Sequence, residues 1–198
     1  MSKIWFTSDW HLNDNRLGGK TNKPNVFYRP FYESNNPVEL QNSMVIERFL
    51  RNGFENGDTL YHLGDVICNF DVDGFYGGEQ RIERLRDAFP KSKFHLIVGN
   101  YDEDKLDFLG KYFDTIQDDL YLDLPKFKAY LNHYPVKCKP IVNKDVLGIT
   151  GHIHGLWKVR PNMVNVGVDA WHFEPVPLET IEFCYNAMQN FYDENVYC

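Results

Sequence analysis

Ile4-Trp5-Phe6-Thr7-Ser8-Asp9-Trp10-His11 runs from four β-prone residues abruptly into a polar tip carrying a carboxylate and an imidazole. The pattern recurs twice. Thr59-Leu60-Tyr61-His62-Leu63 ends in Gly64-Asp65, and Phe94-His95-Leu96-Ile97-Val98 ends in Gly99-Asn100. Each apolar run has the length and side-chain content of a strand, and turn-forming residues close it. His133, and the pair His152 and His154, follow further apolar, β-rich runs. In α/β sheets the loops at the carboxyl ends of strands form the ligand crevice, so five segments remote in sequence are expected to converge.

Helical stretches lie between these runs. Asn36-Pro37 reads as a helix start, and Leu40, Met44, Ile46 or Glu47, and Leu50 keep a stripe until Asn52-Gly53. From Glu79 to Phe89 the apolar face is Ile82, Leu85 and Phe89, and Pro90 closes the helix. Asp102 is read as starting a short helix whose apolar face is Leu106 and Leu109. Past Asp114 the spacing predicts strands at 115–124, 127–132, 146–150 and 163–167, then a helix from Leu178 to Met188. Strand–helix alternation followed by a strand-rich half predicts a layered α/β fold. Residues 13–36 have no clean period and read as a long loop beside the site, and 189–198 as a C-terminal tail. No linker or repeat divides residues 1–198, which read as one domain.

The net charge of −7 argues against a long nucleic-acid groove, although two divalent ions would offset four of those charges. Cys68, Cys138, Cys184 and Cys198 are widely separated and read as reduced intracellular thiols. Met1-Ser2-Lys3 leads straight into the first strand, with no signal peptide, and no apolar run is long enough to span a bilayer. A cytoplasmic location is expected. Whether the C-terminal aromatics Phe183, Tyr185, Phe191, Tyr192 and Tyr197 cover the core or form a dimer contact stays open.

Singly, most of these motifs are ordinary. Gly-Asp after a strand is turn chemistry, Asp102 could cap a helix, and a lone His133 suits a core. Gly151-His152-Ile153-His154-Gly155 is harder to attribute to packing, because two histidines alternate on an extended segment between glycines. Carboxylate, imidazole and amide together are the donors that two adjacent divalent cations need, and such a pair activates water against a phosphate ester.

That ordered set resembles the calcineurin-like metallophosphoesterase family, with its D-x-H, G-D, G-N-H-D, isolated H and G-H-x-H motifs. Arg29-Pro30-Phe31, Tyr61-His62-Leu63-Gly64-Asp65 and Asn165-Val166-Gly167-Val168-Asp169-Ala170-Trp171 look like a small bacterial and phage branch of it. The resemblance implies a single-domain four-layer αββα sandwich. It implies that Asp9, His11 and His154 hold one divalent ion, that Asn100, His133 and His152 hold a second, and that Asp65 bridges them. Neutral imidazoles favour Mn, Fe, Ni or Zn. The implied reaction is attack on phosphorus by a hydroxide between the metals.

One position departs from the family pattern. Tyr101 stands where the family has a histidine that contacts phosphate and protonates the leaving oxygen, steadied by the following Asp102. Asn100, Tyr101 and Asp102 are therefore the candidate catalytic group. Arg29, Asn100 and Tyr101 are the candidate contacts to substrate, Arg29 through its planar fork, with a solvated or structural role for Arg29 the equal alternative. A phenol is a poor acid near neutrality. This predicts a phosphodiesterase acting on small or 2′,3′-cyclic nucleotides with good or strained leaving groups. Alternatives are a phosphomonoesterase or phosphoprotein phosphatase, a nuclease, or a metal-bound interaction module. His172 is another candidate acid, while His62, inside a strand, reads as structural. Lys20 and Lys23 read as solvated charges, and Asp169 and Trp171 as fixing the last loop.

Overall fold

The computed structural model describes residues 2–14, 16, 29, 35–70 and 77–191. Lys20, Lys23, Pro30, Phe31, Tyr192, Tyr197 and Cys198 lie outside the described residues. Strands β1 (Ile4–Thr7), β2 (Thr59–His62), β3 (Lys93–Ile97) and β4 (Thr115–Gln117) pair in parallel in that order. A strand from far along the chain, β10 (Val176–Pro177), adds antiparallel to β1. The second sheet has the order β5 (Asp119–Asp123), β6 (Lys128–Asn132), β7 (Val146–Thr150), β9 (Met163–Asn165), β8 (Val159–Arg160). Its three middle strands are parallel and its two edges antiparallel.

Strand alternation sorts the apolar side chains into two cores. Phe6, Tyr61 and Ile97 face Ala129, Leu131, Leu147, Ile149 and Val164 of the second sheet. Their neighbours Trp5, Leu60, Phe94 and Leu96 face the other way. There they meet Val45, Ile46 and Phe49 of helix α1 (Pro37–Arg51) and Ile82 and Leu85 of α2 (Gly78–Ala88). Strands covered on both faces must be apolar nearly throughout, which is why β1 and β2 read as continuous runs. Among the described residues the outer face of the second sheet carries a single turn, α4 (Pro135–Cys138). Gly148 in β7 lets that turn approach, because a Cβ there would stand 2.8 Å from Val142 Cγ1 and 3.2 Å from Cys138 Cβ. Helix α5 (Leu178–Phe191) sends Ile181 and Cys184 into the core between the sheets. Two facing sheets with helices outside them make the mixed α/β single domain that the sequence predicts, with a thin fourth layer.

The local signals behaved largely as their chemistry dictates. Asn36 Oδ1 accepts from the Glu39 N–H at 3.3 Å and Pro37 opens α1, while Asn52 ends it. The expected strand over 115–124 is two strands, because the chain leaves the first sheet after Gln117 and enters the second at Asp119. The helix expected from Asp102 is only α3 (Leu106–Leu109), where Leu109 is buried and Leu106 is 39% exposed. Cys68, Cys138 and Cys184 are free thiols. Tyr185 covers the core by packing on Phe127, ring centroids 4.6 Å apart, whereas Phe183 faces outward. Among the described residues no helix is long and apolar enough to cross a membrane.

His62 is fully buried between the Trp10 and Phe113 rings, and neither of its nitrogens has a hydrogen-bond partner among the described residues. Burial pushes its pKa from the ordinary 6.5 down to about 3. The unfolded chain therefore binds a proton that the folded chain refuses across that window. The stabilising effect is complete above pH 6.5 and is lost as the pH falls towards 3. At about 1.4 kcal/mol per pKa unit the loss amounts to a few kcal/mol. His62→Leu should flatten stability against pH between 6.5 and 3, read by urea unfolding at fixed pH values. An unchanged slope in the variant would assign the acid sensitivity to carboxylates alone.

Candidate metal centre

The parallel strands point their carboxyl ends at one edge, and there the chain places its polar tips. Asp9 and His11 follow β1, Asp65 follows β2, Asn100 follows β3, His133 follows β6, and His152 and His154 follow β7. Backbone bonds lock these loops together: Asp9 N–H to Gly64 O at 2.9 Å, His11 N–H to Asp65 O at 2.9 Å, Gly151 N–H to His133 O at 3.1 Å. Asp9, His11, Asp65, His152 and His154 all have left-handed backbone, with φ between +48° and +71°. Non-glycine residues resist that region by about 1–2 kcal/mol each, so the surrounding bonds must hold them there. Gly64, at φ +90°, allows a close approach, since a Cβ would stand 2.6 Å from Gly99 N and 2.7 Å from His133 Nδ1.

The expected donors form two sets of atoms within 4.8 Å of one another, Asp9, His11 and His154, and Asp65, His133 and His152, and a third set joins His11 to Asp14 and Cys68. In the first, His11 Nε2 and His154 Nε2 each lie 3.9 Å from Asp9 Oδ1. In the second, His152 Nδ1 lies 3.2 Å from both His133 Nε2 and Asn100 Oδ1, and His133 Nε2 is 3.3 Å from the same amide oxygen. Asp65 Oδ2 stands between the sets, 3.4 Å from His11 Nε2 and 3.4 Å from His133 Nε2. All seven residues expected as donors are thus brought together.

The outward-facing ring nitrogens are held by other groups. His11 Nδ1 meets Cys68 Sγ at 3.0 Å, His133 Nδ1 meets Leu63 O at 2.6 Å, and His154 Nδ1 meets Asp169 Oδ2 at 2.6 Å. Such contacts fix the ring tautomer and aim the opposite nitrogen inward. Imidazole nitrogens converging on each other, on an amide oxygen and on two buried carboxylates suit divalent cations of the transition series. The donor chemistry fits metal.

The charges of the protein alone are strained in the same sense. Burial holds the Asp9 carboxyl above its usual range. Burial also presses on Asp65, but the hydrogen bond and charge of His133 outweigh it and bring its pKa below the usual value. His133 itself resists charge through burial, yet Asp65 and Asp9 lift it to about 9. Burial and the Arg29 charge hold His11 well below its ordinary range, and burial with His133 does the same, less strongly, to His152.

Tyr101 lies at the edge of this cluster. Its N–H donates to Asp65 Oδ1 at 2.9 Å and its ring meets His11 edge-on at 5.0 Å. Asp102 does not cap the helix that follows. Its buried carboxylate accepts from the N–H groups of Asp65 (2.8 Å), Val66 (2.9 Å) and Gly99 (2.9 Å), tying the loops after β2 and β3 together. Arg29, a candidate substrate clamp, is only 2% exposed. Its fork is spent on Asp169 (2.8 Å to each oxygen), Trp10 O (3.1 Å) and Asp9 O (2.6 Å), so it braces the loop rather than facing a ligand. Sequence reading missed Arg16, whose guanidinium donates to the Tyr101 hydroxyl. The one cue was its spacing two residues from Asp14, which suits a local Asp–Arg contact.

Residues 2–192 match the calcineurin-like phosphoesterase family. No curated protein matches the chain. Among solved structures, a protein of unknown function from Aquifex aeolicus is 22% identical, with a TM-score of 0.67 over 92% of this chain and 99% of that one. The E. coli phosphoesterase YfcE is 20% identical, with a TM-score of 0.49 over 83% of this chain and 78% of that one. A nuclease from Pseudomonas putida is 16% identical, with a TM-score of 0.44 over 76% of this chain and 60% of that one. Since the family match runs from the first strand through the last helix, this chain belongs to the calcineurin-like phosphoesterases and is a metal-dependent phosphoric ester hydrolase.

Proposed function

We propose that the chain is a dinuclear phosphodiesterase acting on small or 2′,3′-cyclic nucleotide diesters. In this reading Asp9, His11 and His154 hold one divalent ion, Asn100, His133 and His152 hold the other, and Asp65 is shared. Mn, Fe, Ni or Zn suits the imidazoles best. When bound, the ions supply Lewis acidity towards water and phosphoryl oxygens. The chain's own groups do the rest. Asn100 offers an oxygen without adding charge, Asp102 keeps the Asp65 and Asn100 loops in register, and Tyr101 can donate a hydrogen bond to phosphate.

The observation that carries the diester preference is the chemistry around Tyr101. Burial raises the phenol above its ordinary pKa of 10, so it keeps its proton near neutrality and gives it up reluctantly. Burial lifts the Asp102 carboxyl to about 6, but both of its oxygens are turned onto three N–H groups, so it is not placed to hand a proton to a leaving oxygen. A leaving group that needs protonation loses a general-acid contribution of about 10²–10⁴-fold. An aryl diester or a strained cyclic phosphate needs it far less.

The test is a metal screen on purified protein with bis(p-nitrophenyl) phosphate, the alkyl monoester glycerol 2-phosphate and nucleoside 2′,3′-cyclic phosphates. The diesters should be hydrolysed at least about tenfold faster than the monoester, and Tyr101→His should raise an alkyl monoester rate by about tenfold or more. A monoester rate equal to the diester rate in the unaltered protein would overturn the preference.

A further inference from the structure

Beside the donor cluster sits a cation that the family motifs do not include. The buried Asp14 carboxylate grips Arg16 three times: Oδ1 accepts from the backbone N–H at 3.0 Å and from Nε at 2.7 Å, and Oδ2 accepts from Nη2 at 2.6 Å. That side-on grip fixes the plane of the guanidinium and turns Nη1 onto the Tyr101 hydroxyl. The Arg16 Cζ lies 5.0 Å from the centre of the Tyr101 ring. Tyr101 is in turn strapped to Asp65 Oδ1 through its own N–H and set against the His11 ring. Arg16 is therefore linked through one side chain to the carboxylate at the middle of the cluster. Its side chain is 33% exposed, against 2% for Arg29.

The hydrogen-bond inventory gives the pair a direction. A guanidinium only donates, so the Tyr101 oxygen accepts from Arg16 and the phenol hydrogen is turned away from it. Among the described residues that hydrogen meets no acceptor. A phosphate ester at the donor cluster presents negatively charged, non-bridging oxygens, the acceptor that both the phenol hydrogen and an arginine edge match. We infer that Arg16 and the Tyr101 hydroxyl form a clamp for a non-bridging phosphoryl oxygen of the substrate, with Asp14 as the residue that orients it. The inference rests on the phosphodiesterase reading above and adds the groups that recognise the phosphate. The clamp binds and orients the ester, and no proton passes through it.

The experiment uses the full chain loaded with Mn. Steady-state kinetics on bis(p-nitrophenyl) phosphate are measured alongside calorimetric binding of inorganic phosphate, metal content and melting temperature, for Arg16→Met, Arg16→Lys and Tyr101→Phe. Arg16→Met should raise both KM and the phosphate Kd by about tenfold or more with metal content unchanged, the size of a lost charge-assisted hydrogen bond. Tyr101→Phe should raise the same constants by about threefold, the loss of a neutral donor. Arg16→Lys should fall between Met and wild type, because a point charge replaces part of the fork. Phosphate Kd and KM within twofold of wild type in Arg16→Met would overturn the clamp. Should the Met variant not fold, Arg16→Lys decides: a raised phosphate Kd supports the clamp, and an unchanged one overturns it. A wild-type protein that binds phosphate but cleaves no ester would defeat the phosphodiesterase reading, while the phosphate arm still reports on Arg16.

Discussion

Asp65→Asn is expected to lower kcat by at least about 10³-fold while leaving the fold intact. The carboxylate stands 3.4 Å from ring nitrogens of both donor sets, so its charge lies against both. Asparagine keeps the shape and one oxygen but removes the charge, and it turns either an N–H or an oxygen towards each imidazole, never two anionic oxygens. Electrostatic stabilisation of several kcal/mol at a metal centre corresponds to roughly three decades of rate at about 1.4 kcal/mol per decade. The variant should also bind less metal by elemental analysis. In the metal-free protein, His133 should titrate well below the value near 9 that Asp65 helps to sustain, visible as a shifted imidazole NMR titration. Turnover within tenfold of wild type at full metal content would rule out a shared carboxylate.

Arg29→Met should be the most damaging change to stability, costing about 3–5 kcal/mol. The guanidinium is buried, makes two bonds to Asp169 and satisfies the carbonyls of Asp9 and Trp10. Removing it leaves a largely buried carboxylate with His154 as its remaining partner. Burial opposes the Asp169 charge, yet Arg29 and His154 hold its carboxyl well below the usual carboxylate range. The folded value is depressed, so the pair stabilises the protein fully above pH 3.8 and less as the pH falls below it. For a domain of this size the melting temperature should drop by roughly 10 °C. Arg29→Met combined with Asp169→Leu should recover much of that loss, since replacing both members of a buried pair with apolar groups is close to neutral. A single variant that melts like wild type but shows a raised KM would instead restore Arg29 to substrate binding.

The sequence carried the fold as far as its local signals reached. Strands β1, β2 and β3 were legible because each apolar run stops at a turn residue, and α1 was legible from Asn36-Pro37. The break at Asp118 was not, because the run from Thr115 to Asp123 has no glycine or proline to mark the change of sheet, only the polar Gln117-Asp118-Asp119. Strands β8 and β10 are two residues each, too short for any period. The seven candidate donors could be named because they follow strand ends in an order that resembles the family's motifs. A loop arginine shows its charge in the sequence but not its depth, so Arg29 stayed open between a substrate clamp and a structural role, and Arg16 drew no reading at all. Asp102 seemed to start a helix because capping is the commoner use of that residue before one, whereas here it collects N–H groups from three loop positions.

The left-handed backbone at Asp9, His11, Asp65, His152 and His154 bears on how this protein would respond to laboratory evolution. At each of these positions glycine is the residue the main chain prefers, by about 1 kcal/mol. His152 is the most exposed of the five, so its ring contributes least to packing. A population screened for heat resistance alone will find glycine there first, and will drift towards a sturdier chain that has discarded its own donors. Catalytic screening has to accompany thermal screening from the first round, because at these positions the two demands point to different amino acids.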